Sequence, residues 1–245
     1  MRHDWIVPDW PAPPSVRAVC TTRQGGVSLP PYDSLNLGDH VRDDTVSVSR
    51  NRSALTQAIG ARPVFLQQVH GGDVAVIDAD TPDGTQADGC TTTQAGVACT
   101  IMVADCLPVL FTNRAGTAVA AAHAGWRGLA GGVIEHTVRA LGSADVIAWL
   151  GPCIGPTAFE VGDEVRDAFV DQHAQAASMF KPHAPGKWLA DLQGLARMRL
   201  AALGAADVHG NDGSAAWCSV GNPSRFFSHR RDRVSGRFAA CVWLA

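Results

Sequence analysis

The chain has 245 residues, with 20 lysines and arginines against 23 aspartates and glutamates, for a formal net charge of −3. A hydrophobic content of 46% and a charged content of 18% are typical of a globular protein and exclude an intrinsically disordered chain. A slightly acidic chain also lacks the global field that attracts nucleic acid.

Strands and helices alternate along the chain. The predicted strands cover residues 16–21, 64–69, 74–77, 96–103, 108–112, 117–122, 146–150 and 238–244. The predicted helices cover residues 43–59 (with an acidic first turn, ended by Gly60), 128–141, 161–173 and 188–203. Because hairpins are mixed with the helices, we expect an α+β protein with mixed sheets. No linker is evident, which favours a single domain over residues 1–245.

Three further features indicate a cytoplasmic protein. The proline-rich start, residues 1–14, has no apolar core of a secretory signal. The most apolar stretch, residues 97–111, contains Asp105 and Pro108 and is too short to span a membrane. The seven cysteines are an odd number without a CxxC pair, which favours reduced thiols. We therefore expect no membrane, nucleic-acid or obligate protein partner.

Three potential metal ligands, His70, Cys106 and His123, share a local context. Each lies where an apolar strand gives way to a turn, and rigid scaffolds present functional side chains at such points. Their separations match no local metal motif, so spacing alone leaves open that they are ordinary core or surface residues. The context nevertheless makes these residues the first candidates for a shared site.

If the three side chains converge, their chemistry is well defined. Two imidazoles and one thiolate suit a tetrahedral Zn²⁺ with a fourth position open to water, whose pKa falls to about 7. Copper accepts the same ligands, but a blue-copper centre usually adds an axial methionine, and the strand should carry Met102 away from the site. Nine histidines without a His-x-His pair also argue against a multicopper cluster. Zinc is therefore favoured, with copper as the alternative.

Four polar residues are candidates for substrate contacts. Arg127 lies in a glycine-rich segment before a helix, which can bind an anion or serve close helix–strand packing. Arg23 lies in an anion-binding loop or a plain β-turn, and Asn36 is a turn residue or a substrate contact. Arg231 lies in a run of cations and aromatics that is a solvated face or an active-site anion contact.

Nine runs, in order along almost the whole chain, resemble the YfiH family, also called the laccase-domain or multicopper polyphenol oxidoreductase family. The match is carried by CTTRQGGVS (20–28), SLNLGDHV (34–41), QQVHG (67–71), ADG (87–89), ADCLPVL (104–110), AAHAGWRG (121–128), GPCIGP (151–156), FEVGDEV (159–165) and FFSHRRD (226–232). In this sequence Arg42 replaces a common glycine and His229 a common tyrosine.

The resemblance implies a zinc site at His70, Cys106 and His123 and a four-layer α/β/β/α fold. It implies phosphorolysis of adenosine, inosine and methylthioadenosine, together with deamination of adenosine. Some bacterial relatives are described instead as peptidoglycan editing factors. The family's oxidase name implies copper chemistry, which the histidine pattern disfavours.

The leading hypothesis is a zinc enzyme that takes a purine nucleoside and phosphate. Arg127 and Arg23 would hold the anion, and Asp88 and Asp105 would transfer protons or orient a ligand imidazole. The predicted substrate-binding residues are Arg23, Asn36, Arg127, Asp88, Asp105 and Arg231.

Two alternatives use the same three residues differently. In the first, Cys106 is a metal-free nucleophile, with His123 or His70 as its base, and cleaves an amide in a peptidoglycan precursor. In the second, zinc only braces the loops of an interaction module, which requires a fourth protein ligand such as Cys90 or Cys153.

Overall fold

A computed structural model describes residues 4–143 and 145–245; residues 1–3 of the proline-rich start lie outside it. Its strands are β1 (Val16–Cys20), β2 (Arg62–Phe65), β3 (Val74–Val76), β4 (Gly89–Thr92), β5 (Val97–Val103), β6 (Leu107–Asn113), β7 (Val119–Ala124), β8 (Val146–Leu150), β9 (Glu160–Gly162), β10 (Phe180–Ala184), β11 (Lys187–Ala190), β12 (Asp207–Gly210) and β13 (Phe238–Leu244). Its α-helices are α1 (Thr45–Ile59), α2 (Trp126–Ala130), α3 (Val133–Leu141), α4 (Asp163–Val170), α5 (Leu192–Ala202) and α6 (His229–Asp232). None of the described helices has the length and hydropathy needed to cross a bilayer.

The described strands form two large mixed sheets and a small antiparallel one. The four-stranded sheet has the order β1-β13-β5-β2, and only its β2–β5 pair is parallel. The six-stranded sheet has the order β12-β8-β6-β7-β4-β3, with parallel pairs at both ends and antiparallel pairs between them. Strands β10, β11 and β9 form the small sheet. The predicted mixed sheets are confirmed.

The two large sheets pack face to face, and helices cover their outer faces. Side chains that alternate along the strands, such as Ile101 of β5 and Leu110 of β6, share one core between the sheets. The opposite face of the four-stranded sheet packs against Leu55 of α1. The opposite face of the six-stranded sheet packs against Ile134 of α3 and Leu195 of α5. These layers form the expected α/β/β/α arrangement.

Three predicted helices differ from those observed. The predicted helix 161–173 is the shorter α4 (Asp163–Val170), because Glu160–Gly162 pairs with β11 as β9. The predicted helix 128–141 is two helices, because Gly132 at a φ of 86° breaks the chain between α2 and α3. The predicted helix 188–203 starts only at Leu192, because Lys187–Ala190 pairs as β11. By contrast, α1 ends at Gly60 as predicted, although its acidic residue Asp44 is the N-cap rather than part of the first turn.

Candidate active site and metal centre

His70, Cys106 and His123 converge, with one potential ligand atom from each lying within 4.8 Å of the others. Cys106 precedes β6, and the pairing of Pro108 with His123 places it beside the end of β7. The Gln68 side chain donates to the carbonyl of Met102 and accepts its N–H, at 2.8 and 2.9 Å. These two hydrogen bonds hold the loop that carries His70 against the end of β5.

Asp88 contacts both the backbone around His70 and the side chain of His123. Its fully buried carboxylate accepts the backbone N–H groups of Val69, His70 and Gly71 at 3.1, 2.9 and 2.6 Å. His70 has a φ of 62°, which is rare for a residue with a side chain, and these hydrogen bonds stabilise it. The same carboxylate lies 2.8 Å from Nδ1 of His123. Nε2 of His123 is thereby left as the nitrogen available to a ligand.

The thiol and the imidazole perturb each other strongly. Burial acts to raise the pKa of Cys106, but the charge of His123 and hydrogen bonds from both histidines outweigh it and lower this pKa to about 6. Burial acts to lower the pKa of His123, but the charge of Cys106 and the hydrogen bond to Asp88 raise it to about 9. Without a metal, the pair is therefore a thiolate and an imidazolium at neutral pH.

The donor set fits a borderline-soft transition metal. One thiolate and two imidazoles are zinc or copper ligands, and they leave one tetrahedral position open. Among residues 4–143 and 145–245, the group that can hold a metal contains these three residues and neither Cys90 nor Cys153. The structure therefore provides no fourth ligand of the kind that a purely structural zinc site requires.

The three residues border a cavity of about 460 Å³. Its apolar lining residues include Trp126, Ile154, Phe159 and Leu192. Its basic lining residues include Arg127, Arg230, Arg233, Arg237, His40 and His229. The two kinds of side chain are in contact, since Arg127 packs on the Trp126 ring and Arg230 on the Phe159 ring.

Of the six predicted substrate-binding residues, Arg127 and Asp105 line this cavity and Asp88 lies beneath its ligands. Arg127 is exposed and stacks on Trp126, with its Cζ 4.4 Å from the ring centre. Asp105 does not orient an imidazole: its carboxylate accepts Ser219 Oγ and the Arg230 N–H, each at 2.6 Å. Of the two carboxylates, Asp88 is the one that contacts a histidine of the cluster.

The structure does not bring Arg23, Asn36 and Arg231 to the cavity, because backbone groups elsewhere engage their side chains. Arg23 Nε donates to the Asp33 carbonyl at 2.7 Å. Asn36 is fully buried, and its Oδ1 accepts the N–H of Arg237 at 2.8 Å. Arg231 Nη1 donates to the Ser219 carbonyl at 2.7 Å. These residues build the loops around the site.

Sequence reasoning missed four basic residues that line the cavity, His40, Arg230, Arg233 and Arg237. His40 lies in the run SLNLGDHV and Arg230 in FFSHRRD, so both motifs contained a signal that was not assigned. Arg233 and Arg237 lie outside the quoted motifs. Arg237 reaches the site because Asn36, 201 positions away, holds its backbone.

We expect Gly128→Ala to destabilise the site, because α2 lies directly against the backbone of Gly71 and His123. A Cβ at Gly128 would lie 2.8 Å from the Gly71 carbonyl oxygen and 3.2 Å from that of His123. The variant should lose about 1–3 kcal/mol of stability and bind metal more weakly. Urea unfolding and zinc titration measure both effects. Gly71→Ala is the matched control, since its Cβ would meet its nearest neighbour at 3.5 Å. Equal behaviour of the two variants would contradict this packing argument.

Comparison with known proteins gives consistent matches over nearly the whole chain. The sequence model of a family described as multi-copper polyphenol oxidoreductase laccase matches residues 17–245. A purine nucleoside phosphorylase of Pseudomonas aeruginosa is 56% identical over 243 residues, which are 98% of each chain. The purine nucleoside phosphorylase YfiH of Escherichia coli is 50% identical over 243 residues, again 98% of each chain.

Two solved structures share the fold. A Neisseria meningitidis protein of the DUF152 family superposes with a TM-score of 0.94 at 47% identity, covering 98% of this chain and 99% of its own. YlmD of Geobacillus stearothermophilus superposes with a TM-score of 0.91 at 30% identity, covering 100% of this chain and 98% of its own.

Proposed function

The chain belongs to the YfiH family of laccase-domain proteins, and we propose that it is a zinc-dependent purine nucleoside phosphorylase. The observation that carries this proposal is the convergence of His70, Cys106 and His123 at a cavity lined by aromatic, aliphatic and cationic side chains. The names of the similar Pseudomonas and Escherichia proteins support the substrate class. Seven unpaired cysteines suit the reducing cytoplasm in which we place the enzyme.

We propose adenosine, inosine and methylthioadenosine as the nucleosides, with adenosine deamination at the same site. In phosphorolysis, the C–N bond between base and ribose breaks while a phosphate oxygen bonds to the anomeric carbon. The proton of hydrogenphosphate ends on the purine, so the reaction needs no further co-reactant. A zinc ion held by His70, Cys106 and His123 would supply Lewis-acid polarisation.

The chain's own residues have separate tasks in this proposal. The purine would lie among the apolar lining residues, which include Ile154, Leu192 and the parts of the Trp126 and Phe159 rings that Arg127 and Arg230 do not cover. The cavity arginines would hold phosphate, whose negative charge favours the positive charge that develops on the ribose. Asp88 would fix the tautomer and direction of His123.

Zinc rather than copper is proposed because of the donor set and its surroundings. Met102 lines the cavity, so the expectation that its strand carries it away from the site was wrong, but its sulfur lies 4.0 Å from Nη2 of Arg52 and accepts from that group. A blue-copper centre would call for such a weak axial ligand. Among the described residues the ligand group contains two histidines, which suits a single ion.

The test is release of hypoxanthine from inosine by the purified enzyme. We expect release that requires phosphate, yields ribose 1-phosphate in equal amount and stops when a chelator removes the metal. Reactions without phosphate serve as the control. Phosphate-independent release, or activity that survives complete removal of metal, would contradict the proposed function.

A second candidate function has one specific observation in its favour. The lowered pKa of Cys106 and the raised pKa of His123 create, without metal, the thiolate–imidazolium pair of a cysteine hydrolase. Such an enzyme would cleave an amide in a peptidoglycan precursor. Metal analysis separates the two candidates: stoichiometric zinc in active protein supports the phosphorylase, whereas metal-free active protein that iodoacetamide inactivates at Cys106 supports the hydrolase.

A further inference from the structure

We propose that Arg230, Arg233 and Arg237 form a subsite for a phosphate-class oxyanion in the cavity beside Cys106. A catalytic role for this subsite rests on the proposed function, in which phosphate is the second substrate. The sequence analysis placed the anion at the glycine-rich segment around Arg127, whereas this proposal places it at three arginines near the C-terminus.

Four arginines line the cavity, and within the described part of the chain none of them has a carboxylate within 4.0 Å. Outside the cavity six described arginines have such a partner and seven do not, so what distinguishes the cavity arginines is that four unpaired cations line one space. The six paired arginines are Arg23, Arg52, Arg114, Arg166, Arg199 and Arg231. Asp105, the carboxylate that does line the cavity, accepts Ser219 Oγ and the backbone N–H of Arg230 instead. The guanidinium groups therefore face the cavity without a protein counter-ion.

Arg237 is held in place by hydrogen bonds of both its backbone and its guanidinium group. Its Nη1 donates to the carbonyls of Ser235 and Gly236 at 2.9 and 3.0 Å, and Asn36 fixes its backbone. Burial lowers the pKa of Arg237, while the charges of Cys106 and Asp105 act to raise it. Arg237 is half-buried, and among the described residues it has no carboxylate within 4.0 Å, so a bound anion would offset part of the cost of withdrawing its charge from water.

Arg230 and Arg233 line the same cavity as Arg237. Arg230 is held by its backbone bond to Asp105, by donation from Nη1 to the Glu160 carbonyl at 3.1 Å and by packing over Phe159. Arg233 follows α6 with a φ of 64° and is exposed, like Arg127, so it would contribute at the mouth of the cavity rather than as a buried anchor. Planar guanidinium groups bind two oxygens of a phosphate at once, which makes a phosphate group the matching ligand.

Arg127 is the rival anchor, and its surroundings are less defined. Its guanidinium is exposed and stacks on Trp126, and α2 has only five residues. The bound phosphate group could be inorganic phosphate, acting as a co-substrate, or the 5′-phosphate of a nucleotide substrate. Titration with inorganic phosphate and with inosine 5′-monophosphate distinguishes the two.

Isothermal titration of the zinc-loaded full-length protein tests the subsite without turnover. Inorganic phosphate, inosine and inosine 5′-monophosphate are titrated into wild type, Arg237→Gln, Arg233→Gln and Arg127→Gln. Arg225→Gln, from the same C-terminal region but outside the cavity lining, is the control. We expect Arg237→Gln and Arg233→Gln to weaken phosphate binding about 10- to 100-fold, with inosine binding and zinc content unchanged.

The outcomes are separable. If phosphate binding is unchanged in both C-terminal variants, or is lost only in Arg127→Gln, the subsite is overturned. If inosine 5′-monophosphate binds no better than inosine, the phosphate is the co-substrate; if it binds at least tenfold better and loses this advantage in Arg237→Gln, the phosphate belongs to the substrate. Arg233→Gln keeps the test valid should Arg237→Gln misfold. If phosphate binds at these arginines but the protein does not cleave inosine, the result contradicts the proposed function and supports the subsite.

Discussion

Replacing Cys106 by alanine is expected to abolish phosphorolysis of inosine and to strip the protein of its metal. In the proposed zinc site the Cys106 thiolate would be the one charged ligand, and two neutral imidazoles alone would hold zinc weakly. We expect kcat/KM to fall by roughly 10³-fold or more, the scale on which removal of a central catalytic group acts. Metal analysis and a hypoxanthine assay measure the two effects in one preparation.

Cys20→Ala is the matched control for this variant. Cys20 is fully buried, whereas Cys106 is half-buried, and burial raises the pKa of Cys20 well above the ordinary value, so it remains a neutral thiol. It belongs to the core between the sheets and not to the ligand group. The control should retain metal and turnover. Stoichiometric zinc and undiminished activity in Cys106→Ala would remove Cys106 from the mechanism.

The sequence made His70, Cys106 and His123 the first candidates because each follows an apolar run and precedes a turn. The strands themselves differ from this prediction: the run 64–69 is strand only to Phe65, and His123 lies within β7. What spacing could not supply was their convergence. That depends on the register of β6 with β7 and on Gln68 bonding to the backbone of β5.

The parts that sequence reasoning missed depend on contacts between distant segments or on short elements. Arg237 lines the cavity through Asn36, and nothing local to either residue indicates the pair. The hairpin of β10 and β11 was assigned in part to a helix because most of its residues are exposed and lack a regular apolar alternation. The break before α3 at Gly132 is local, but two successive glycines at 131–132 also suit close packing within one helix.

Replacing Asp88 by asparagine is expected to weaken metal binding about 10- to 100-fold, the usual effect of removing a group that orients a ligand. Asp88 accepts three backbone N–H groups and faces His123, whereas an amide offers one oxygen and turns its NH₂ toward donors. One or more buried donors would lose a partner, at about 1–3 kcal/mol of stability. Zinc competition titration and urea unfolding measure these effects.

The pH dependence of the metal-free variant distinguishes a positioning role from a merely structural one. The Asp88 carboxylate helps to raise the pKa of His123 to about 9, and the His123 charge helps to lower that of Cys106 to about 6. Without the carboxylate the imidazolium is less favoured, so the pKa of His123 falls and that of Cys106 rises. Iodoacetamide labelling of Cys106 should therefore begin at higher pH in Asp88→Asn than in wild type. Asp83→Asn, which removes a carboxylate bonded to the Phe65 N–H at 3.1 Å, should leave the labelling profile in place. An unshifted profile in Asp88→Asn would show that the carboxylate only supports the loop.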